Sequence, residues 1–162
     1  MNPNRFFVYG TLCRGNCRSK MWPHSPVSIQ SAWVAGSLYD GPGYPAMRQG
    51  DEKVQGEVWT FRDEHVPEVT RVLDGIEGTN QPGVPNLYDR IVIETFKVAF
   101  RSAKDASAAT FPKREATIVD LSNQSLGTAW TYHYATDPTL HGFTRIKPTD
   151  DAGMVYWLER SA

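Results

Sequence analysis

Long hydrophobic runs, cysteines and an excess of either charge are all scarce in this sequence. No window of its 162 residues approaches the roughly 18 consecutive apolar residues of a membrane span, and no signal-peptide core follows the N-terminus. The 17 Lys and Arg residues nearly balance the 18 Asp and Glu residues, which provides no basic surface for gripping phosphate backbones. We therefore expect a soluble, cytoplasmic protein that binds neither membranes nor nucleic acid.

Cysteine and histidine form no recognisable metal site. Cys13 and Cys17 are too few for a disulfide framework, have no partner pair for a four-ligand zinc site and flank Gly15. We expect both thiols to be reduced. The four histidines also lack any metal-ligand spacing: His24, His65, His133 and His141. The sequence therefore predicts no metal.

A nucleotide cofactor is not expected either. The segment Gly41-Pro42-Gly43-Tyr44-Pro45-Ala46 formally matches the G-x-G-x-x-A dinucleotide-binding pattern. That pattern requires a helix to begin inside the motif, so that the helix N-terminus faces the pyrophosphate. Its two prolines and the polar continuation 48–51 instead predict a turn.

Most of the chain is expected to be β-structure, because it has 12% aromatic residues, 13 Gly and 11 Pro. Strands are predicted at residues 5–9, 32–39, 54–61, 88–96, 115–121, 128–134 and 154–158. Gly56 indicates a bulge or a close backbone approach, and residues 101–114 are predicted to form a surface loop. These elements predict one α+β domain over residues 1–162, a small mixed β-barrel-like sheet with one main helix.

That helix is predicted by apolar residues at helical spacing: Val69, Val72, Leu73 and Ile76. Pro67 fits only its first turn, Asp63 is the predicted N-cap, and Gly78 is the predicted left-handed residue at its end.

The first candidate site is Tyr9-Gly10-Thr11-Leu12, where an apolar strand breaks into a loop. Such a break leaves successive backbone N–H groups unpaired and able to converge on an anion, and Gly10 permits a close approach. A plain strand-to-loop turn explains the same residues, so the loop alone does not decide the function.

Glu77 is the second candidate. It lies on the edge of the apolar stripe and at the C-terminal end of the helix, and both positions raise the pKa of a carboxyl group. Glu77 could instead reach solvent or pair with Arg90. Asp74 lies on the opposite side of the helix and is expected to be solvated.

Five motifs occur in the order of one known family: Val8-Tyr9-Gly10-Thr11-Leu12, Tyr44-Pro45-Ala46-Met47, Val54-x-Gly56-Glu57-Val58-Trp59, Leu73-Asp74-x-x-Glu77-Gly78 and Tyr88-x-Arg90. Over residues 5–96 the sequence resembles the γ-glutamylcyclotransferase-like, or AIG2-like, family. The resemblance implies a barrel-like α+β fold with a cavity between the loop 9–12 and Glu77. It also implies a cofactor-independent enzyme that converts a γ-glutamyl amide or amine into 5-oxoproline and releases the attached amine or amino acid.

In that interpretation, Glu77 is the general acid and base, and Tyr9, Gly10, Thr11 and Leu12 bind the small-molecule γ-glutamyl substrate. Thr11 contributes its hydroxyl and Tyr88 lines the pocket. A γ-glutamylamine or γ-glutamyl-amino acid is favoured over glutathione. The oligomeric state is left open.

Two other interpretations remain. One is a non-catalytic module that uses the same cavity to bind a small molecule or a protein. The other is an aromatic barrel for single-stranded nucleic acid, based on Phe6, Phe7, Tyr9 and Trp59, but the sequence lacks the basic groove that such sites use.

Overall fold

The computed structural model describes residues 3–100, 118–148 and 153–159. In these ranges the regular elements are the strands β1 (Arg5–Val8), β2 (Ser28–Asp40), β3 (Pro45–Thr60), β4 (Tyr88–Phe100), β5 (Ile118–Tyr134), β6 (Thr144–Arg145) and β7 (Met154–Val155), and the helix α1 (Val66–Glu77). Short 3-10 turns lie at Ser19–Met21, Asp63–His65 and Pro138–His141.

Five of these strands pair in a closed ring. The long hairpin of β2 and β3 is antiparallel, as is the pair of β4 and β5. β2 joins β4 through Trp33 opposite Phe96, and β1 joins β3 antiparallel and β5 parallel, with Phe6 opposite Trp130. β6 and β7 extend the sheet beside β2 and β3. The structure confirms the predicted α+β class and its mixed, barrel-like sheet.

The core has two clusters of buried side chains, one on each face of β1. Phe6 and Phe7 are consecutive, so the twofold alternation of a strand sends them to opposite faces. Phe7 packs with residues of the neighbouring strands, including Val34 and Val54. Phe6 packs in the cluster that also buries Leu73 of α1. α1 is thereby held against the sheet at the end where β1 finishes.

The ends of α1 follow local sequence signals, with one correction. Pro67 lies in the first turn, as predicted. Gly78 adopts the left-handed conformation at φ 64° and ψ 44°, and its N–H donates to the Asp74 carbonyl. The predicted N-cap was wrong: Asp63 begins a 3-10 turn, and His65 precedes the helix without a side-chain cap.

Several predicted strand limits also need correction. The polar segment 48–51 is part of β3 and not a turn. Arg48 pairs with Ser37 and Glu52 pairs with Gly36, so the residues between them bulge out of the ladder. Residues 118–121 and 128–134 of two predicted strands belong to one strand, β5, and residues 115–117 lie outside the described residues. The predicted loop 101–114 lies outside the described residues.

Candidate active site

The loop that follows β1 is folded back on itself by its own carbonyl groups. The Gly10 carbonyl accepts hydrogen bonds from the Cys13 N–H at 3.0 Å and from Asn16 Nδ2 at 2.9 Å. The Thr11 carbonyl accepts from the Arg18 N–H at 2.9 Å, and the Leu12 carbonyl accepts from Trp22 Nε1 at 3.1 Å. These hydrogen bonds hold the carbonyl groups of residues 10–12 in place.

Backbone N–H groups of the same loop remain without a hydrogen-bond acceptor. Among the described residues, the backbone N–H groups of Thr11 and Leu12 have no hydrogen-bond acceptor, whereas the Gly10 N–H faces the Cys13 thiol. Buried backbone donors are normally paired, so two successive unpaired N–H groups offer binding capacity for an acceptor such as a carboxylate. This is the arrangement that the strand break predicts.

A buried carboxylate of β3 anchors this loop to the barrel. Glu57 is completely buried, and its side chain accepts from the Arg14 N–H at 2.9 Å, from Arg14 Nε at 3.1 Å and from Trp59 Nε1 at 3.1 Å. Charged and neutral donors together satisfy the carboxylate that the core would otherwise disfavour. Glu57 therefore anchors the chain just after the loop 9–12 to β3.

Glu77 ends α1 and faces the loop across a cavity. Burial raises the pKa of the Glu77 carboxyl to about 7, and the positive charge of Arg18 opposes part of that rise. Among the described residues Glu77 forms no ion pair, so the alternative pairing with Arg90 does not occur. A carboxyl group with this pKa can both accept and donate a proton near neutral pH.

Asp74 corrects the expectation of a solvated side chain. It is only 9% exposed and pairs with Arg90, whose Nε lies 2.9 Å from Asp74 Oδ1. The Tyr132 hydroxyl donates to the same oxygen at 2.7 Å, and the Arg90 guanidinium packs over the Trp130 ring. Partners from β4 and β5 thus enclose the outer side of α1, which a helical projection alone does not show.

One cavity of about 160 Å³ brings the candidate residues together. Its walls include every site residue that the sequence predicts: Tyr9, Gly10, Thr11, Leu12 and Glu77. Further lining residues are Phe7, Val8, Arg18, Tyr44, Pro45, Ile76, Leu87, Tyr88 and Tyr132. The loop 9–12, with its unpaired N–H groups, and the Glu77 carboxyl group therefore line the same cavity.

Two tyrosines of the cavity are fixed by backbone carbonyls. The Tyr9 hydroxyl donates to the Tyr132 carbonyl at 2.7 Å, and the Tyr88 hydroxyl donates to the Pro45 carbonyl at 2.7 Å. Burial raises the pKa of both hydroxyl groups well above the usual value, so both remain protonated donors. Both rings form part of the cavity wall, and both hydroxyl groups already donate their hydrogen to a backbone carbonyl.

The described ranges contain no cluster of three or more His, Cys, Asp or Glu side chains that could hold a metal ion. No helix in these ranges is both long and apolar enough to cross a membrane.

The family model described as γ-glutamyl cyclotransferase, AIG2-like matches residues 6–151. The chain belongs to this family. The match extends past the segment 5–96 in which the motifs are found, into the C-terminal part of the chain.

Two relatives of this γ-glutamylcyclotransferase-like chain illustrate the range of similarity. The γ-L-glutamyl-butirosin B γ-glutamyl cyclotransferase of Niallia circulans is 36% identical over 91 residues, 55% of this chain and 55% of that protein. The chain thus matches about half the length of this curated relative. The crystal structure of an AIG2-like protein from Mus musculus is 19% identical, with a TM-score of 0.54 and 100% coverage of both chains. That second likeness shows the fold alone.

The γ-glutamylcyclotransferase-like cavity also contains residues that the sequence analysis missed. Arg18 is the charged residue among them. It reaches the cavity because the chain turns at Gly15, whose φ angle is 81°, and because the Arg18 N–H donates to the Thr11 carbonyl. Tyr44 and Leu87 are also part of the cavity wall. A Gly three residues before a basic position is a weak signal for such a return, and no local pattern indicates the other two.

Proposed function

We propose that this chain is a γ-glutamylcyclotransferase that converts a γ-glutamyl amide or amine into 5-oxoproline and releases the attached amine or amino acid. The observation that carries the proposal is the Glu77 carboxyl, whose pKa is raised to about 7, in one cavity with unpaired loop amides. A site that only binds an anionic glutamyl group gains little from a second carboxylate in its wall.

Glu77 supplies the proton transfers of this reaction. The ionised carboxylate takes a proton from the α-ammonium group of the substrate, which frees the nitrogen lone pair. That nitrogen attacks the δ-carbonyl carbon, and a carbon–nitrogen bond forms as the bond to the leaving nitrogen breaks. Glu77 then gives this proton to the leaving nitrogen. The attacking nitrogen loses a second proton as it becomes the lactam N–H, and that proton also passes to the leaving nitrogen, so that an ammonium group departs and the carboxylate is regenerated.

The loop supplies the orientation. The free N–H groups of Thr11 and Leu12 bind the α-carboxylate of the glutamyl group, which approaches closely at Gly10, and they fold its chain so that the amine meets the δ-carbonyl. Intramolecular attack of this kind gains most from holding the reacting atoms at contact distance, and it requires neither a metal nor a nucleotide.

Product analysis tests the proposal directly. The chain is incubated with γ-glutamyl-amino acids, γ-glutamylamines and glutathione, and 5-oxoproline and the released amines are measured by mass spectrometry. We expect 5-oxoproline from the first two classes and less from glutathione. Tight binding of these compounds without any product would contradict the enzyme proposal and favour a binding module on the same fold.

The Glu77→Gln variant tests the assigned role. The amide keeps the shape of the side chain but cannot accept the ammonium proton, so kcat should fall by about 10²-fold or more. Glu94→Gln is the matched control, because Glu94 is exposed on β4 and does not line the cavity. Equal turnover of the two variants would exclude Glu77 as the acid and base.

A further inference from the structure

Arg18 is fixed in the wall of the cavity by its own backbone. Its N–H donates to the Thr11 carbonyl at 2.9 Å, and its carbonyl accepts from the Met21 N–H at 3.0 Å. The side chain is partly buried and lines the same cavity as Glu77 and the loop 9–12. It is therefore a positioned cation at the site and not a solvated surface residue.

The guanidinium of Arg18 has no partner in the described part of the chain. The other two arginines near the site are committed, since Arg14 pairs with Glu57 and Arg90 pairs with Asp74. No carboxylate among the described residues lies within ion-pair distance of Arg18, and its side chain forms no hydrogen bond there. A partly buried guanidinium with open donors is suited to a planar anionic group such as a carboxylate.

The chemistry of the reaction determines which carboxylate this is. The glutamyl α-carboxylate is assigned to the free N–H groups of the loop, so a second anionic group must come from the leaving group. Glu77 has to reach the leaving nitrogen, and in a leaving amino acid the carboxylate is attached to the carbon next to that nitrogen. Arg18 and Glu77 line the same cavity, so a leaving group whose nitrogen lies at Glu77 can place its carboxylate toward Arg18.

We propose that Arg18 binds the carboxylate of the leaving group, which makes γ-glutamyl-amino acids, rather than γ-glutamylamines, the preferred substrates. This inference rests on the proposed function of the same cavity. Leu87 is an exposed apolar residue of the cavity wall and provides a contact for the rest of the leaving group.

Two ligands that differ in a single group isolate the role of Arg18. γ-Glutamylglycine and γ-glutamylethylamine share the glutamyl part and have leaving groups of similar size, but only the first carries the second carboxylate. Their dissociation constants are measured by calorimetry on the full chain with Glu77→Gln, in which slowed turnover leaves the ligands intact during the measurement. The same measurement is made after adding Arg18→Gln, Arg18→Lys or the control Lys20→Gln, an exposed cation outside the cavity.

We expect Arg18→Gln to weaken binding of γ-glutamylglycine by at least about tenfold and to leave γ-glutamylethylamine within about twofold. Arg18→Lys should retain part of the preference, and Lys20→Gln should retain all of it. Equal weakening of both ligands would overturn the inference, because Arg18 would then serve the glutamyl group. No weakening of either ligand, or no binding of either before Arg18 is changed, would also overturn it.

Turnover separates this inference from the proposed function. If the wild-type chain binds γ-glutamylglycine selectively through Arg18 but releases no 5-oxoproline, the proposed function is wrong and the binding role of Arg18 stands. If both compounds are cyclised with the same kcat/KM, the enzyme proposal stands and the role of Arg18 is wrong.

Discussion

At the scale of single residues, the site depends on how differently the protein treats two carboxyl groups of one helix. Glu77 is partly buried without an ion-pair partner among the described residues, and burial raises its pKa to about 7. Asp74, one turn earlier, is more deeply buried but has Arg90 and Tyr132 as donors. A carboxylate with donors is a structural element, whereas one without them can exchange a proton.

The pH dependence of stability should report this property of Glu77 without any substrate. Its pKa rises from 4.5 to about 7 on folding, so the folded chain holds the proton more tightly than the unfolded chain. Ionisation therefore penalises the folded state increasingly as pH rises through this interval, and the penalty is complete above about pH 7. We expect the wild-type free energy of unfolding, minus that of Glu77→Gln, to fall by up to about 3 kcal/mol between about pH 5 and pH 8. Denaturant titrations at several pH values would show it, and a constant difference would contradict the buried carboxyl group.

Asp74→Asn should cost stability, in contrast to what a solvated Asp would predict. The amide keeps the size of the side chain but leaves the Arg90 guanidinium partly buried without its counter-charge. Removing one partner of such a pair costs about 3 kcal/mol. Chemical denaturation compares it with Asp51→Asn, an exposed position in the bulge of β3. Equal stability of the two variants would show that the contacts with Arg90 and Tyr132 contribute nothing.

At the scale of elements, local signals predicted what is decided locally. Helix α1 ends where Gly78 predicts, and the loop after β1 leaves N–H groups free, because residue types at those positions act through their own backbone. The strand limits differ because partners distant in sequence determine them. Residues 48–51 remain in β3 because β2 pairs with Arg48 and with Glu52 on the two sides of the bulge, and the partners of Asp74 come from two strands distant in sequence. Arg18 was missed for a different reason, since a local turn that the residue types indicate only weakly places it in the cavity.

Gly10→Ala should lower the activity because the added methyl group clashes with the cavity wall. A Cβ at this position would lie 2.5 Å from Pro45 Cγ and 2.7 Å from Pro45 Cδ, so either the loop or the cavity wall must move. The φ angle of Gly10 is not positive, so the clash and not backbone strain is the cause. We expect kcat/KM to fall by about 10²-fold, since a shift of about 1 Å in a binding group has this effect. Gly75→Ala, which adds a Cβ into open space on α1, should keep full activity and rule out a general effect of the added methyl group.

At the scale of the whole molecule, ring closure depends on the fit of β1 against β3. Gly56 faces β1 so closely that a Cβ would lie 2.2 Å from the Val8 carbonyl oxygen and 2.7 Å from Phe7 Cζ. The predicted close backbone approach at Gly56 is thereby confirmed, and its cause is the short distance between the two strands. The barrel-like sheet needs a residue without a side chain at this point.

Gly56→Ala should therefore destabilise the entire fold. Overpacking of a core costs about 1 to 3 kcal/mol, and here the obstacle is backbone that cannot rotate away, so we expect a loss of at least about 3 kcal/mol. The urea midpoint measures this loss. Ala35→Val, which adds two methyl groups on an exposed position of β2, is the control and should change the midpoint little. If Gly56→Ala has the same urea midpoint as the Ala35→Val control, the close approach of β1 to β3 is contradicted.

The pairing of β1 with β5 also has a consequence for the order of folding. The Thr131 hydroxyl donates to the Phe7 carbonyl across 124 positions of the chain, and contacts so distant in sequence form late because much chain entropy must be lost first. The loop 9–12 follows β1 directly. Glu57 of β3 anchors the chain just after this loop, but the cavity that the loop lines also needs Tyr132 of β5, the last strand of the ring. A nascent or partly folded chain therefore lacks a complete cavity. We expect it to bind the ligand only after the ring of strands has closed.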